Sequence, residues 1–462
     1  MKIIILGAGQ VGTSVLASLA SERNDITVVD TQSHLLRDLQ DRYDIGIVQG
    51  NAAHPTVLKR AGGEETDMLI AVTSDDETNM LACQIADALF KIPKKIARVR
   101  AIEYLSYPEL FAGDAIPIDV VISPEKIITE FIERLLEYPG ASQILDFADG
   151  KVRLGSVRAL RGGPLVGREI RELHQHMPNV HARITAIFRQ GKAIIPNGRV
   201  TIEVNDEVFF IASSEEIKDV MSELRELEKP YKRLMFAGGG HIGKRVALAL
   251  ENDYQVKVVE KDPKRAKKIA SELTNTVVLL GDASDKELLL SENIENTDVF
   301  CAITNDDEAN ILSAMLAKRL GARRVIALIN KTAYADIIDS QLVDLVISPQ
   351  QSTIGALLRH IRRCDAARVY SLRHGAAEAI EAIAHGTPGI SKVVGIPIDR
   401  IKIPPGVVMG ALVRGDEVIQ VHHDTVIQDG DHVIIFLLDK KLIPVIEQLF
   451  QVDDLSAQAR TA

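Results

Sequence analysis

Tryptophan is absent from the 462-residue chain, aromatic residues amount to 4%, and there are three cysteines. Cys83, Cys301 and Cys364 lie far apart, are odd in number and form no C-x-x-C pair. That pattern argues against a disulfide framework and for a reducing cytoplasm, with each thiol a small buried apolar residue. No apolar run reaches the ~18 residues that a membrane helix needs. The N-terminus opens directly on "MKIIIL", without signal-peptide anatomy. Any link to a membrane is therefore expected through a partner. Positive charge is also in short supply, with 54 Lys+Arg against 64 Asp+Glu and a net charge of −10. A nucleic-acid groove needs a basic face, so no nucleic-acid partner is expected. There is no G-x-S-x-G, no H-E-x-x-H, no Cys–His pairing signal and no lysine-containing P-loop.

What is present is a duplication. Apolar residues make up 46% and charged residues 26%, an ordinary globular balance. The length suits three or four domains of about 150 residues. Disorder is expected only in the last ten residues, "DDLSAQARTA". Gly7, Gly9 and Gly12 return as Gly238, Gly240 and Gly243, an offset of 231. "TDMLIAVTSDDETNMLACQIA" (66–86) returns as "TDVFCAITNDDEANILSAMLA" (297–317), with ten of 21 positions identical at the same offset. "VISP" recurs at 121–124 and 346–349.

Within each half, apolar runs alternate with helical periods. In the first half the strands are expected near 2–6, 26–29, 45–48, 68–72, 95–99 and 119–122, with helices such as 77–90 between them. Strand–helix alternation predicts a parallel sheet covered on both faces. A further helix is expected from "ISPE" to about residue 137. The texture then changes to short strands broken by Gly, Pro and Asn, which reads as a small α+β unit, and 410–439 repeats it. The order is large, small, large, small: 1–137, 138–227, 228–363 and 364–452, with a tail at 453–462. "ELEKPYKR" (226–233) links the halves.

The glycine spacing G-x-G-x-x-G follows a strand and opens an amphipathic helix in both halves. Such a turn lets backbone approach a pyrophosphate at a helix N-terminus. Gly7 is expected to make the tight turn, Gly9 the close approach and Gly12 the helix–sheet contact. Asp30 ends the next strand, and Glu260 ends its counterpart. A carboxylate there accepts ribose hydroxyls and repels a 2′-phosphate, which favours NAD over NADP and also suits ATP or ADP. Thr73 and Ser74, in the loop after the fourth strand, offer hydroxyls and N–H groups to a ribose or phosphate. Asp75 and Asp76 beside them are also good helix caps. Arg98 and Arg100 in "ARVR" are expected on one face of the fifth strand, able to hold a phosphate. The matching stretch, "IALI" (326–329), has no arginine. His422 and His423 fall on an expected strand, which would point their rings to opposite faces. His54 and His241 read as structural.

The large–small pairs resemble the regulator-of-potassium-conductance (RCK) family, and the doubled form resembles the cytosolic subunit of bacterial Trk potassium uptake. "GAGQVG", "VVD", "QGNA", "VTSDDETNM", "IARVR" and "YPGA" carry the resemblance, with "GGGHIG", "GDAS" and "TNDDEANI" in the second half. It covers the chain to about residue 450. The resemblance implies an α/β fold of tandem Rossmann-like domains, each followed by a small α+β ligand-sensing domain. It implies a gating subunit rather than an enzyme. It also implies a homotetramer whose eight nucleotide domains form a ring on the inner face of a TrkH- or TrkG-like membrane subunit. NAD(H), or ATP or ADP, is the implied cofactor, and no metal is implied. Carried over by motif, the first site is Gly7, Ala8, Gly9, Gln10, Val11, Asp30, Asn51, Thr73, Ser74 and Arg98. The second is Gly238, Gly239, Gly240, His241, Ile242, Glu260, Asp282, Thr304 and Asn305. A gating subunit of another cation transporter is the alternative, and an NAD-dependent dehydrogenase a remote one.

Overall fold

The structure, a computed structural model, describes residues 1–20, 24–112, 115–178, 180–335, 338, 341–362, 364–373 and 376–451. The tail expected to be disordered lies outside them. Two six-stranded parallel sheets and two five-stranded antiparallel sheets account for the strands. From edge to edge, the first large sheet runs Gly46–Gln49, Asp25–Asp30, Lys2–Leu6, Met68–Ala71, Lys94–Arg98 and Val120–Ile122. In chain order that is 3-2-1-4-5-6, the doubly wound order with its switch point between the first and fourth strands. The central strands are buried on both faces, as β-branched runs such as "KIIIL" require. The second large sheet repeats the order as Val277–Leu280, Gln255–Glu260, Arg233–Ala237, Val299–Ala302, Arg324–Leu328 and Leu345–Ile347.

Six helices matter for the site. α1 (Gln10–Leu19), α2 (Asp76–Phe90) and α3 (Pro124–Glu137) belong to the first half. α4 (His241–Leu250), α5 (Asp307–Arg319) and α6 (Pro349–Leu358) are their counterparts. α3 and α6 start alike, with Ser123 and Ser348 as N-caps before a proline.

These two helices exchange partners. Ile128, Ile132, Leu135 and Leu136 of α3 pack into the core of the second large sheet, beside Leu234, Phe236, Val246 and Leu250. Ile354, Leu357 and Leu358 of α6 join the core of the first, beside Ile3, Ile5, Leu16 and Ile96. Burying such side chains contributes roughly 1.5–3 kcal/mol each, so neither large sheet completes its core from its own half.

The small sheets repeat one topology. One runs Lys192–Ile194, Arg183–Arg189, Glu207–Ser213, Val152–Arg158, Ala141–Phe147, and the other Glu417–Gln420, Val407–Arg414, His432–Leu437, Ala377–Ile383, Ala366–Leu372. They face each other across a shared core in which Phe209 meets Phe436 at 5.6 Å between ring centres and Phe147 meets Tyr370 edge-on at 5.2 Å. The linker is pinned. Tyr231 is buried under Arg323, its hydroxyl donates to Glu228, and Arg323 bonds Glu228 at 3.0 Å.

His422 and His423 do not lie on a strand. The strand ends at Gln420, and both histidines occupy the turn that follows. No group of metal ligands occurs among the described residues, and no described helix is long and apolar enough to cross a membrane.

All three cysteines are buried, and burial pushes each thiol up to about 12. They should therefore resist iodoacetamide at pH 8 in the native chain and all react in guanidinium. Ile132→Ala should cost roughly 2–5 kcal/mol. Because α3 completes the second core, amide exchange should quicken in Arg233–Ala237 more than in Lys2–Leu6.

Candidate nucleotide site

At the carboxyl edge of the first large sheet the chain leaves Leu6 and turns at Gly7, whose N–H donates to Val29 O. Gly7 has φ +106°, and a Cβ there would stand 3.0 Å from Val72 O. Gly12, in the first turn of α1, lies so near that a Cβ would sit 1.8 Å from Gly7 O. Gly9, the N-cap, faces open space, with nothing within 4 Å of an added Cβ. No side chain caps α1, and its first turn holds no acidic residue. By contrast Asp75, Ser123, Asp306 and Ser348 cap α2, α3, α5 and α6. The amides at the start of α1 are thus left for an outside acceptor, and the helix dipole makes that acceptor an anion.

Asp30 locks the loop from the side. Its Oδ2 accepts Ala8 N at 2.7 Å, and its Oδ1 accepts Gln32 N at 2.8 Å. The carboxylate is only half-buried, so lone pairs remain for hydroxyl donors. Gly50 N donates to Asp30 O, which brings the next turn alongside. There Asn51 is exposed, and its Oδ1 accepts Ala53 N.

The opposite wall is built on Asn79, buried in α2. Its Oδ1 accepts the backbone N and the hydroxyl of Thr73 at 3.0 and 2.7 Å, and its Nδ2 donates to Arg98 O at 3.0 Å. Arg98 Nη2 in turn donates to Thr73 O at 2.6 Å. Arg98 Nε is buried with no partner, and burial next to Arg100 pushes the guanidinium pKa down. A cation held short of acceptors at a cleft is what an arriving phosphate would relieve. Arg100 lies past the strand end and closes the same loop, bonding Ser74 O and pairing with Asp76. Asp75 caps α2 through Thr78 N, whereas Asp76 is buried and accepts Arg100 N and Ala101 N at 2.8 and 2.9 Å. The motif reading offered both aspartates as caps; only Asp75 is one.

Asp30, Ala8, Gly7, Thr73 and Arg98 are therefore contiguous. Gln10 is exposed and Val11 half-buried in the first turn of α1, while Ser74 and Asn51 stand at the margins. The motif reading misses Asn79 and gives Asp76 only as a cap, although both recur in the repeat as Asn310 and Asp307.

The second half keeps the frame and changes the contents. Gly238 has φ +107°, a Cβ on Gly243 would fall 1.9 Å from Gly238 O, and Gly240 is open. His241 is exposed and Ile242 half-buried. Thr304 and Asn310 repeat the Thr73–Asn79 bonds at 2.9 and 2.7 Å, and Asn305 is exposed like Ser74. Glu260 is 3% exposed. Its oxygens accept Gly239 N and Asp262 N, and Arg265 stands 3.4 Å away. A Cβ on Gly239 would meet Ile269 at 2.4 Å. Asp282 is tied to Ser284, which holds its carboxyl below the usual range. The pairing of the repeats by "IALI" is off by one residue. Asn310 Nδ2 donates to Leu328 O as Asn79 does to Arg98 O, so Leu328 replaces Arg98 and Asn330 replaces Arg100. The second cleft has no arginine at either place.

Comparison with known proteins agrees with this architecture. The TrkA-N domain model matches residues 3–124 and 234–349, and the TrkA-C domain model matches 154–225. Relatives called Trk system potassium uptake protein TrkA are 55% identical in Vibrio alginolyticus and in Halomonas elongata, each over 98% of this chain and 99% of the relative. The protein of that name in Haemophilus influenzae is 49% identical over the same shares. Among solved structures, the GsuK channel bound to NAD superposes with a TM-score of 0.62 at 17% identity, covering 97% of this chain and 78% of the other, a likeness of fold. The GsuK RCK domain gives the same score and identity over 97% and 94%.

Gly12→Ala should force the first turn of α1 off the strand and cost about 1–3 kcal/mol. Gly9→Ala should leave thermal stability nearly unchanged while weakening phosphate binding, as calorimetric titration with ADP would show.

Proposed function

The chain belongs to the TrkA family of Trk-system potassium uptake proteins, and from that membership we propose that it regulates a membrane potassium pathway as a cytosolic, nucleotide-binding subunit. One observation carries the reading: the helix that starts at the glycine loop packs along the connecting helix of the other half. Ser14 of α1 donates to Gln350 of α6 at 3.2 Å, and Leu16 and Leu19 share a core with Ile354 and Leu357.

NAD(H) is the ligand assigned to the first site, with ATP or ADP as alternatives. The residues fit it. The uncapped amides of α1, the open face of Gly9 and the unpartnered Arg98 Nε suit a pyrophosphate, and the half-buried Asp30 carboxylate suits unphosphorylated ribose hydroxyls. A bound nucleotide would supply negative charge between the glycine loop and the Thr73 loop. The chain's own part is mechanical. Arg98 and Asn79 hold the Thr73 loop, Asp30 holds the glycine loop, and α1 passes any change in their spacing to α6. A ligand shifts such an equilibrium only by its different affinity for the two states.

The partner we infer is a TrkH- or TrkG-like integral membrane subunit, with this chain as a homotetramer at the inner face of the membrane. Support comes from Leu81 and Leu312, at the same turn of α2 and α5, which are 50% and 61% exposed. Apolar side chains left out in both repeats at one place suit a contact between copies. The role is regulatory, and no residue is assigned a catalytic step.

Calorimetric titration with NADH should show saturable binding, weakened about ten- to a hundredfold in Asp30→Ala by loss of a charge-assisted hydrogen bond. Leu81→Asp with Leu312→Asp should lower the solution mass in light scattering without unfolding the chain. Tight nucleotide binding that leaves potassium flux through the assembled complex unchanged would sink the regulatory reading.

A further inference from the structure

Away from both glycine loops, a cleft of about 1120 Å³ opens between the two halves. One face of α3 and one face of α6 line it along their lengths, and both small sheets close it. Val120, Ile127, Phe131, Val346, Ala356 and Tyr370 present apolar surface there and stay only half-buried. At its wall Ser156 is fully buried, and its hydroxyl has no partner. Its counterpart in the repeat, Glu381, is satisfied by Ala148 N and His432. A buried hydroxyl without a protein partner at a cavity wall is a donor that a polar atom in the cavity would satisfy.

The charges of the cleft are nearly all matched. Glu130 pairs with Lys126, Glu137 and Asp146 with Arg134, Glu207 with Arg373, and Asp344 with Lys318. Glu133 forms no ion pair among the described residues, and burial and the neighbouring Glu130 carboxylate raise its pKa against the pull of Arg134 and Arg245. The cations left over lie at the end of α6. Arg359 meets only the His360 ring among the described residues, at 2.6 Å. Lys94 donates to His360 O at 2.7 Å, and the carboxylate acting on it, Asp119, is already paired with Lys95. Burial between these two cations pushes His360 down to about 4, so its ring is a neutral acceptor at physiological pH. Two cations therefore share one neutral histidine, with no ion-paired carboxylate of their own among the described residues.

We propose that this cleft is a second ligand site, distinct from the glycine loops, for an amphiphilic organic anion. The apolar body lies between α3 and α6, a polar atom reaches Ser156, and the anionic group meets Arg359 with Lys94 behind it. An occupant would wedge the two helices that each half lends to the other. The ligand would thereby bear on the two exchanged helices without touching the nucleotide.

The probe is 8-anilinonaphthalene-1-sulfonate, which joins an apolar body to an anion. Titrated into the full chain at saturating NADH, it should bind at one site per chain with rising fluorescence, and decanoate should displace it. Arg359→Glu should weaken binding about tenfold or more, as expected for loss of a charged contact, and Ser352→Trp should abolish it by filling the cleft. Ala356→Met is the milder filling variant if the tryptophan chain does not fold. NADH should still bind the same variants with unchanged stoichiometry, because its own site is untouched, and Asp30→Ala should still bind the dye. Equal dye affinity in wild type, Arg359→Glu and the filled variants would overturn the proposal, as would competitive displacement of the dye by NADH.

Discussion

The first cleft depends on how closely two pieces of backbone approach each other. The first turn of α1 is so near the carbonyl of Gly7 that only a hydrogen fits at residue 12. That contact sets the direction of the helix, and the helix direction aims its uncapped amides at the sheet edge. Everything else is arranged around that axis. Asp30 clamps the loop from one side, and Asn79 and Arg98 hold the facing loop from the other. The clamps are backbone hydrogen bonds to charged or buried groups, which are expensive to leave unmade. The site is therefore built before any ligand arrives.

Much of this was legible in the sequence, because glycine spacing and strand-end carboxylates report backbone geometry directly. The six strands of each large sheet follow from apolar runs, since a strand buried on both faces has no other composition open to it. Asn79 and Asp76 were not legible, because Asn and Asp near a helix start are ordinary capping residues. Only the fold shows that one bridges two strands' loops and the other staples the Arg100 backbone. The histidine pair at 422 and 423 was misread because an apolar-polar alternation ran on past the strand's end into a turn. The exchange of α3 and α6 left no local signal at all. An amphipathic face states that it will be covered, not by what.

The repeats diverge where a duplication leaves room for divergence. The frame glycines, the Thr–Asn bonds and the buried aspartate are kept, since each closes a backbone turn. The groups that would meet a ligand change. Arg98 gives way to Leu328, and the half-buried Asp30 to a Glu260 sealed by Arg265. Glu125, whose Oε2 is buried without a partner, gives way to Gln350, which bonds Ser14. One frame thus supports two clefts of different electrostatic character.

The exchanged helices also bear on how such a chain arises. A single half folded by itself would carry a helix with no core to enter and a core with no helix to fill it. Two copies would have to meet to complete each other, and their encounter would depend on concentration. The pinned segment around Tyr231 removes that dependence, because a short tether replaces a bimolecular search with a fixed local concentration. Fusion would then free each half from the need to be self-complementary. A symmetric pair must change both partners at once, whereas a tethered pair can let one side specialise while the other goes on completing its fold.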